Sequence, residues 1–207
     1  MKQESQKTQK AISQLKKIEK LTNPNLRLAA EFNTPWQALI STILSPMTRD
    51  ETTIEVSEKL YKKYSSLSSL AKARLADIKK VIKPVNYNKT KSKHISETAK
   101  ILMKEHKGNI PNSREELMKL PGVGRKVANV YLAEVHKAAA IGVDTHVAQT
   151  SRKLGWSKEK NPYKIEKDLE LLFPKRYWNK INYIVVRFGR EYSKKQKNKI
   201  LSNLRKI

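Results

Sequence analysis

The chain has 207 residues, of which 38% are hydrophobic, and it contains no cysteine. This length and apolar content exclude a wholly disordered protein, and the lack of thiols excludes disulfides, thiolate zinc sites and cysteine-ligated iron–sulfur clusters. Lysine and arginine outnumber aspartate and glutamate by 44 to 19, and the formal net charge of +25 favours nucleic acid as a partner. A lysine-rich surface without such a partner is the alternative.

Membrane and export signals are missing from the sequence. No apolar run approaches the roughly 20 residues that cross a bilayer. The first ten residues are polar and do not resemble a secretory signal. We therefore expect an intracellular protein of the cytoplasm or nucleoid, with no membrane partner.

Helical periodicity runs through the first half of the chain. Residues 4–22 carry isoleucine and leucine at helical spacing, and Thr34 with Pro35 predicts an N-cap and a first-turn proline for a helix that ends before Pro46. Further helices are predicted over 48–64, 66–72, 75–82 and 90–106. Three lysines lie near the start of the helix predicted over 90–106, namely Lys89, Lys91 and Lys93. They either contact phosphates or form a solvated face of that helix.

The second half is helical as well. Ser113 and Glu116 predict a capping box for a short helix that ends near Leu120. Further helices are predicted over 125–136, 145–154, 161–172 and 175–189, with a short basic helix in the tail from Lys194. The best strand-like run, 183–186, lies within a helical pattern, so the predicted fold class is all-α.

A two-glycine turn at residues 120–126, LPGVGRK, separates two of these helices. Glycine permits positive φ and close backbone approach, and the N–H groups at the start of the second helix can hold a phosphate. This pattern predicts a helix-hairpin-helix that binds a DNA backbone, although a plain helix end and turn also fits. The predicted DNA contacts in this turn are Leu120, Gly122, Val123, Gly124 and Arg125.

Asp144 lies at a predicted helix N-cap, 18 residues after Lys126. An isolated aspartate there is only a cap, and an isolated lysine is one phosphate contact among many. The intervening helix and connecting stretch are long enough to bring both residues to one cleft. A neutral lysine amine is a nucleophile, and a carboxylate can stabilise a developing sugar cation or transfer protons.

Taken together, LPGVGRK at 120–126 and VDTH at 143–146 resemble the endonuclease III family of DNA glycosylases. That family belongs to the helix-hairpin-helix superfamily with a Gly/Pro-rich loop and an essential aspartate, and its lysine and aspartate have the same 18-residue separation. Shorter segments at 35–50, 108–111 and 188–190 extend the resemblance over roughly residues 10–192.

The resemblance implies a base-excision DNA repair glycosylase with AP lyase activity on oxidised pyrimidines in double-stranded DNA. The damaged nucleotide would be flipped into a cleft between two helical lobes. Lys126 would attack the sugar C1′ and hold it as a Schiff base, and Asp144 would stabilise the cationic sugar. The lobes are predicted as a six-helix bundle over 28–138 and a second domain formed by 1–27 plus 139–207. A monomer is expected.

The chain also departs from the family pattern. Members commonly bind a [4Fe–4S] cluster through four cysteines, and Ser193 stands about where the first would be. We therefore expect no cofactor and no metal site, with the basic tail or the packing of Tyr192 and Leu204 in the cluster's place. Gln149 replaces a common arginine.

Met47 stands where many members have a glutamine that fills the space left by the flipped base. Its flexible apolar side chain predicts a wedge into the base stack, with Thr48 beside it as a second DNA contact. His146 is also predicted to face DNA, with capping or packing as the equal alternative.

Two other functions stay open at this point. A monofunctional glycosylase would use water, with Asp144 as the base. A non-enzymatic module would keep the hairpin for DNA binding and lose the chemistry. RNA binding is disfavoured because no RNA-recognition motif is visible.

Overall fold

The computed structural model describes residues 5–206, and within that range the chain forms twelve α-helices and no strand. This confirms the all-α prediction. The helices are α1 (Gln6–Lys20), α2 (Pro35–Leu44), α3 (Asp50–Lys63), α4 (Leu67–Ala71), α5 (Leu75–Val81), α6 (Asn88–Glu105), α7 (Arg114–Leu117), α8 (Arg125–Val135), α9 (Thr145–Leu154), α10 (Pro162–Leu172), α11 (Lys175–Glu191) and α12 (Lys194–Lys206).

The chain divides into two compact units. The continuous unit is Arg27–His136, and the discontinuous unit joins the chain up to Leu26 to the chain from Lys137 onward. The boundaries drawn from the sequence, 28–138, differ from these limits by one and two residues. The continuous unit holds seven helices, α2 to α8, which match the seven helices predicted singly from the sequence and exceed by one the six given for the predicted bundle; α7 has only four residues.

In the continuous unit, α2 is the central helix. All its residues from Ala38 to Leu44 are buried, and it packs against α3, α6 and α8. An apolar helix covered on all sides gains most of its stability from burial, at roughly 25 cal/mol per Å² of apolar surface. The elements that carry the hairpin are therefore anchored to the best-buried helix of this unit.

In the discontinuous unit, α1 packs against α10 and α11, and α12 packs against α9. The core here includes Leu15, Ile18, Phe173 and Phe188. None of the helices described over 5–206 is long and apolar enough to cross a bilayer.

Helix starts largely follow the local capping pattern. The side chains of Ser113, Asp144 and Asn161 each accept a hydrogen bond from a backbone N–H of the following turn, as predicted. Thr34 occupies the N-cap of α2, as predicted, although its side chain makes no capping hydrogen bond. Pro35, with its fixed φ, begins this helix.

Candidate active site

The hairpin turn joins α7 to α8 in the continuous unit. The Val123 N–H donates to the Leu120 carbonyl over 3.1 Å, and Thr98 Oγ1 of α6 donates to the Pro121 carbonyl over 2.9 Å. Gly122 has φ +79°, as the pattern predicted. Gly124 does not: it is the N-cap of α8 with φ −87°, a value open to any residue. Only the first glycine is required by backbone conformation.

Packing gives Gly122 a second role that the sequence did not reveal. A Cβ at this position would lie 2.8 Å from His94 Nδ1 and 3.0 Å from Ile43 Cγ2. The turn is therefore pressed against α2 and α6. A Cβ at Gly124 would meet nothing within 4 Å, and this residue is exposed. Gly124 is the position at which another molecule can approach the backbone closely.

Two of the predicted DNA contacts in the turn, Leu120 and Val123, have buried side chains, and their contact with DNA stays a prediction. The side chains of Leu120 and Val123 pack into the core, where the residues are 3% and 5% exposed. The Val123 N–H is already bonded within the turn. The backbone around Gly124 and the start of α8 are the exposed part of the turn, next to the half-buried Arg125, and phosphate binding there stays a prediction.

Lys126 is the second residue of α8 and is half-buried. Within the continuous unit, all of which is described, its Nζ makes no hydrogen bond or ion pair. The next residues of α8, from Val127 to Ala133, are buried and fix the helix against α2. The backbone of Lys126 is thus held rigidly while its amine has no partner in that unit.

Asp144 is the N-cap of α9 in the discontinuous unit. Its Oδ1 accepts the Val147 N–H over 2.8 Å, and Val147 is buried. The segment that leads into it is fixed by α11, since Asn182 Nδ2 donates to the Gly142 carbonyl over 2.7 Å. The half-buried carboxylate is therefore positioned both by its capping hydrogen bond and by the fixed segment that precedes it. The capping bond uses only Oδ1, so Oδ2 takes no part in the cap. Asn182 is a supporting residue that no sequence pattern singled out.

His146 packs closely against α11. A Cβ at Gly189 would lie 2.0 Å from its Nδ1, so the glycine makes room for the imidazole. The residue also lines a cavity of about 360 Å³ whose lining includes Lys153, Lys194 and Lys197 and no acidic residue. Burial and the charge of Lys153 lower the pKa of Lys197, whose Nζ donates to the Gly189 carbonyl over 2.7 Å. The packing alternative for His146 holds, and its contact with DNA stays a prediction.

Met47 and Thr48 lie in the loop between α2 and α3. Met47 is 72% exposed and has φ +60°. Thr48 Oγ1 accepts hydrogen bonds from the Asn86 N–H and from Lys91 Nζ, both over 3.2 Å. Both interpretations are wrong for Lys91, because this lysine is buried and lies neither on a solvated face nor within reach of a phosphate, whereas Lys89 and Lys93 are exposed.

The segment after α11 does not fit an iron–sulfur cluster, because the chain has no thiolate to ligate iron. Ser193 instead caps α12: its N–H donates to Gln196 Oε1 over 2.9 Å, and its Oγ accepts the Gln196 N–H over 3.4 Å. Leu201 and Leu204 of this helix are buried in the core of the discontinuous unit. Among residues 5–206, no cluster of three or more histidine, aspartate or glutamate side chains suits a metal ion.

Residues 40–175 match the family described as HhH-GPD superfamily base excision DNA repair protein. Endonuclease III of Thermotoga maritima is 44% identical to the chain over 162 residues, which is 78% of this chain and 76% of that protein. The chain belongs to the endonuclease III family. Endonuclease III of Synechocystis sp. is 35% identical over 185 residues, covering 89% of this chain and 84% of its own length.

Solved structures of the family agree with the fold. A trapped endonuclease III–DNA covalent intermediate has a TM-score of 0.82 and 30% identity, and the match covers 89% of this chain and 87% of that one. A non-covalent endonuclease III–DNA complex has a TM-score of 0.83, also at 30% identity. The resemblance inferred from residues 120–126 and 143–146 is confirmed. Membership of the family makes the chain a base-excision DNA glycosylase.

Proposed function

We propose that this glycosylase also has AP lyase activity, with Lys126 as the nucleophile and Asp144 as the supporting carboxylate. The observation that carries the proposal is the position of Lys126. It is the second residue of α8, directly after the exposed hairpin backbone, and its amine has no partner in its unit. An amine beside a phosphate-binding turn can attack the sugar next to that phosphate.

The chemistry proceeds by covalent catalysis. Nζ of Lys126 forms a bond to C1′ as the N-glycosidic bond breaks, and the base leaves with the electron pair and takes up a proton. Opening of the sugar ring gives a Schiff base between Lys126 and C1′. Loss of a proton from C2′ then breaks the C3′–O bond and cleaves the strand on the 3′ side. Hydrolysis of the imine returns the free lysine.

Asp144 supports these steps through its charge. Oδ1 is held by the Val147 N–H, so the carboxylate is fixed before substrate arrives. A preorganised negative group stabilises the positive charge that develops on the sugar, and Oδ2 can exchange protons with the sugar oxygen.

Double-stranded DNA with an oxidised pyrimidine or an abasic site is the proposed substrate, and a monomer is the proposed form that binds it. Three observations support DNA as the substrate: the net charge of +25, the relatives named endonuclease III, and the endonuclease III–DNA complexes among similar structures. The trapped covalent intermediate of the related protein supports covalent chemistry.

Borohydride trapping tests the proposal. The protein is incubated with a duplex that holds one abasic site, borohydride is added, and a covalent protein–DNA band is sought. We expect a band with wild type and none with Lys126→Gln. The control is Lys119→Gln, the same change at an exposed lysine near the hairpin, and it should keep the band. Equal bands from wild type and Lys126→Gln would contradict the assignment of the amine.

A base-release assay on duplexes with oxidised pyrimidines separates the remaining alternatives. Base release without a trapped band would indicate a monofunctional glycosylase that uses water, with Asp144 as the base. Duplex binding with neither base release nor a band would indicate a non-enzymatic binding module.

A further inference from the structure

The loop between α2 and α3 presents Met47 in an unusual backbone conformation. Met47 has φ +60°, a region that costs a residue with a Cβ roughly 1 kcal/mol or more. Its side chain is 72% exposed. Neither strain nor exposure of a large apolar side chain stabilises the free protein, so other contacts must hold this loop.

Lys91 of α6 supplies the first of these contacts. The residue is 7% exposed, and its Nζ donates to the Leu44 carbonyl over 2.6 Å, to the Pro46 carbonyl over 2.5 Å and to Thr48 Oγ1 over 3.2 Å. These acceptors span the end of α2 and flank Met47 on both sides. Burial of an ammonium group is costly unless its donors are satisfied, and here all three N–H groups have acceptors.

Asn86 supplies the second contact, from the segment between α5 and α6. Its backbone N–H donates to Thr48 Oγ1 over 3.2 Å, and its side-chain Nδ2 donates to the Met47 carbonyl. Thr48 Oγ1 is therefore shared by Lys91 and Asn86. The main chain on each side of Met47 is tied to the region of α6, while the Met47 side chain itself is left outside.

We propose that Lys91 is a positioning residue that holds Met47 outward as the side chain that enters the base stack when a nucleotide leaves it. Lys91 then acts on DNA only through Met47. The inference rests on the proposed function in one respect, namely that the ligand is duplex DNA with a displaced nucleotide. A flexible apolar side chain held on a strained, tethered loop can fill such a gap.

The test measures base unstacking without any chemistry. The probe is a duplex that holds a non-cleavable tetrahydrofuran abasic analogue, with 2-aminopurine as the adjacent base. We expect 2-aminopurine fluorescence to rise when wild type saturates the duplex. Lys91→Met should lose most of that rise while its Kd stays within about threefold of wild type, because the altered side chain is buried and removed from the DNA. Lys100→Met, the same change at an exposed position of α6, should keep the full rise.

A double-variant comparison separates positioning from a general structural effect. If Lys91 acts through Met47, Lys91→Met combined with Met47→Ala should lose no more of the rise than Met47→Ala alone. If Lys91→Met folds poorly, Asn86→Ala serves as the second variant. It removes the exposed side-chain amide that bonds the Met47 carbonyl, and it should lose the fluorescence rise in the same way.

Three results would overturn the inference: no rise with wild type, a full rise with both Lys91→Met and Asn86→Ala, or additive losses in the double variant. A wild-type rise accompanied by neither borohydride trapping nor base release would remove the proposed function and leave the positioning role standing.

Discussion

Gly189 of α11 lies so close to His146 of α9 that a Cβ at position 189 would stand 2.0 Å from the imidazole Nδ1. The two helices pack against each other, and α9 begins at the Asp144 cap. The position of the Asp144 carboxylate, a proposed catalytic group, therefore depends on glycine at position 189, because a side chain there would collide with His146.

Gly189→Ala should lower the free energy of unfolding by about 1–3 kcal/mol, because the added methyl overpacks this contact. Strand cleavage should fall as well, since displacement of His146 moves the start of α9. Urea unfolding and single-turnover cleavage of an abasic duplex measure the two effects. His146→Ala combined with Gly189→Ala removes the obstructing ring and should recover most of the lost stability. A double variant no more stable than Gly189→Ala would contradict this explanation.

The two hairpin glycines should respond differently to alanine. Gly122→Ala should cost about 2 kcal/mol or more, because φ is +79° and the Cβ would contact His94 and Ile43. Gly124→Ala should cost less than about 1 kcal/mol, the usual penalty at an N-cap. It should nevertheless weaken duplex binding about tenfold, the equivalent of one charge-assisted contact. Chemical denaturation and fluorescence anisotropy measure these effects, and equal stability losses would refute the distinction.

Asp144 combines a capping role with a charge, and two substitutions separate them. Asn is as good an N-cap as Asp, so Asp144→Asn should keep the stability within about 0.5 kcal/mol. Its base release and strand cleavage should fall by about 10²–10⁴-fold, because the charge is lost. Asp144→Ala should show the same kinetic loss and a further stability loss of about 1 kcal/mol. Near-normal cleavage by Asp144→Asn would assign the residue to capping alone.

Lys91 should make stability depend on pH. Burial lowers its pKa from 10.5 to about 8. Between these values the unfolded chain binds more protons than the folded protein, so the free energy of unfolding rises as the pH increases from 8 towards 10.5. This contribution is fully present above 10.5, is lost as the pH falls through 8, and amounts to about 3 kcal/mol in total.

The measurement compares wild type with Lys91→Met by urea unfolding at several pH values. The difference in unfolding free energy should shift in favour of wild type as the pH rises, because the other lysines contribute equally to both proteins. Parallel curves from pH 7 to about 10.5 would show that Lys91 titrates normally.

Local chemistry explains why much of the fold was predictable. A side-chain cap or a first-turn proline acts within four residues, so Ser113, Asp144 and Asn161 marked helix starts without knowledge of the fold. The spacing of Lys126 and Asp144 indicated the family because both residues adjoin recognisable helix starts.

Long-range packing explains what was missed. Lys91 belongs to a charged run in the sequence, and only the carbonyls of Leu44 and Pro46, more than 40 residues away, make it a buried group. In the sequence Gly122 resembles an ordinary turn glycine, and its close packing against His94 is visible only in the folded structure. Sequence pattern reports neighbours along the chain, and these roles depend on neighbours in space.

The junction of α1 with α12 determines when folding can finish during synthesis. Buried Gln14 of α1 accepts the Trp156 indole N–H over 2.7 Å and donates to the Leu204 carbonyl over 2.9 Å. Lys10 of α1 also donates to the Arg205 carbonyl, 195 positions further on. α1 is translated before all of these partners, so its bonds form only after more than 140 further positions of chain have been synthesised. The continuous unit can form on the growing chain before then, whereas the unit that holds Asp144 is completed only once α12 has been synthesised.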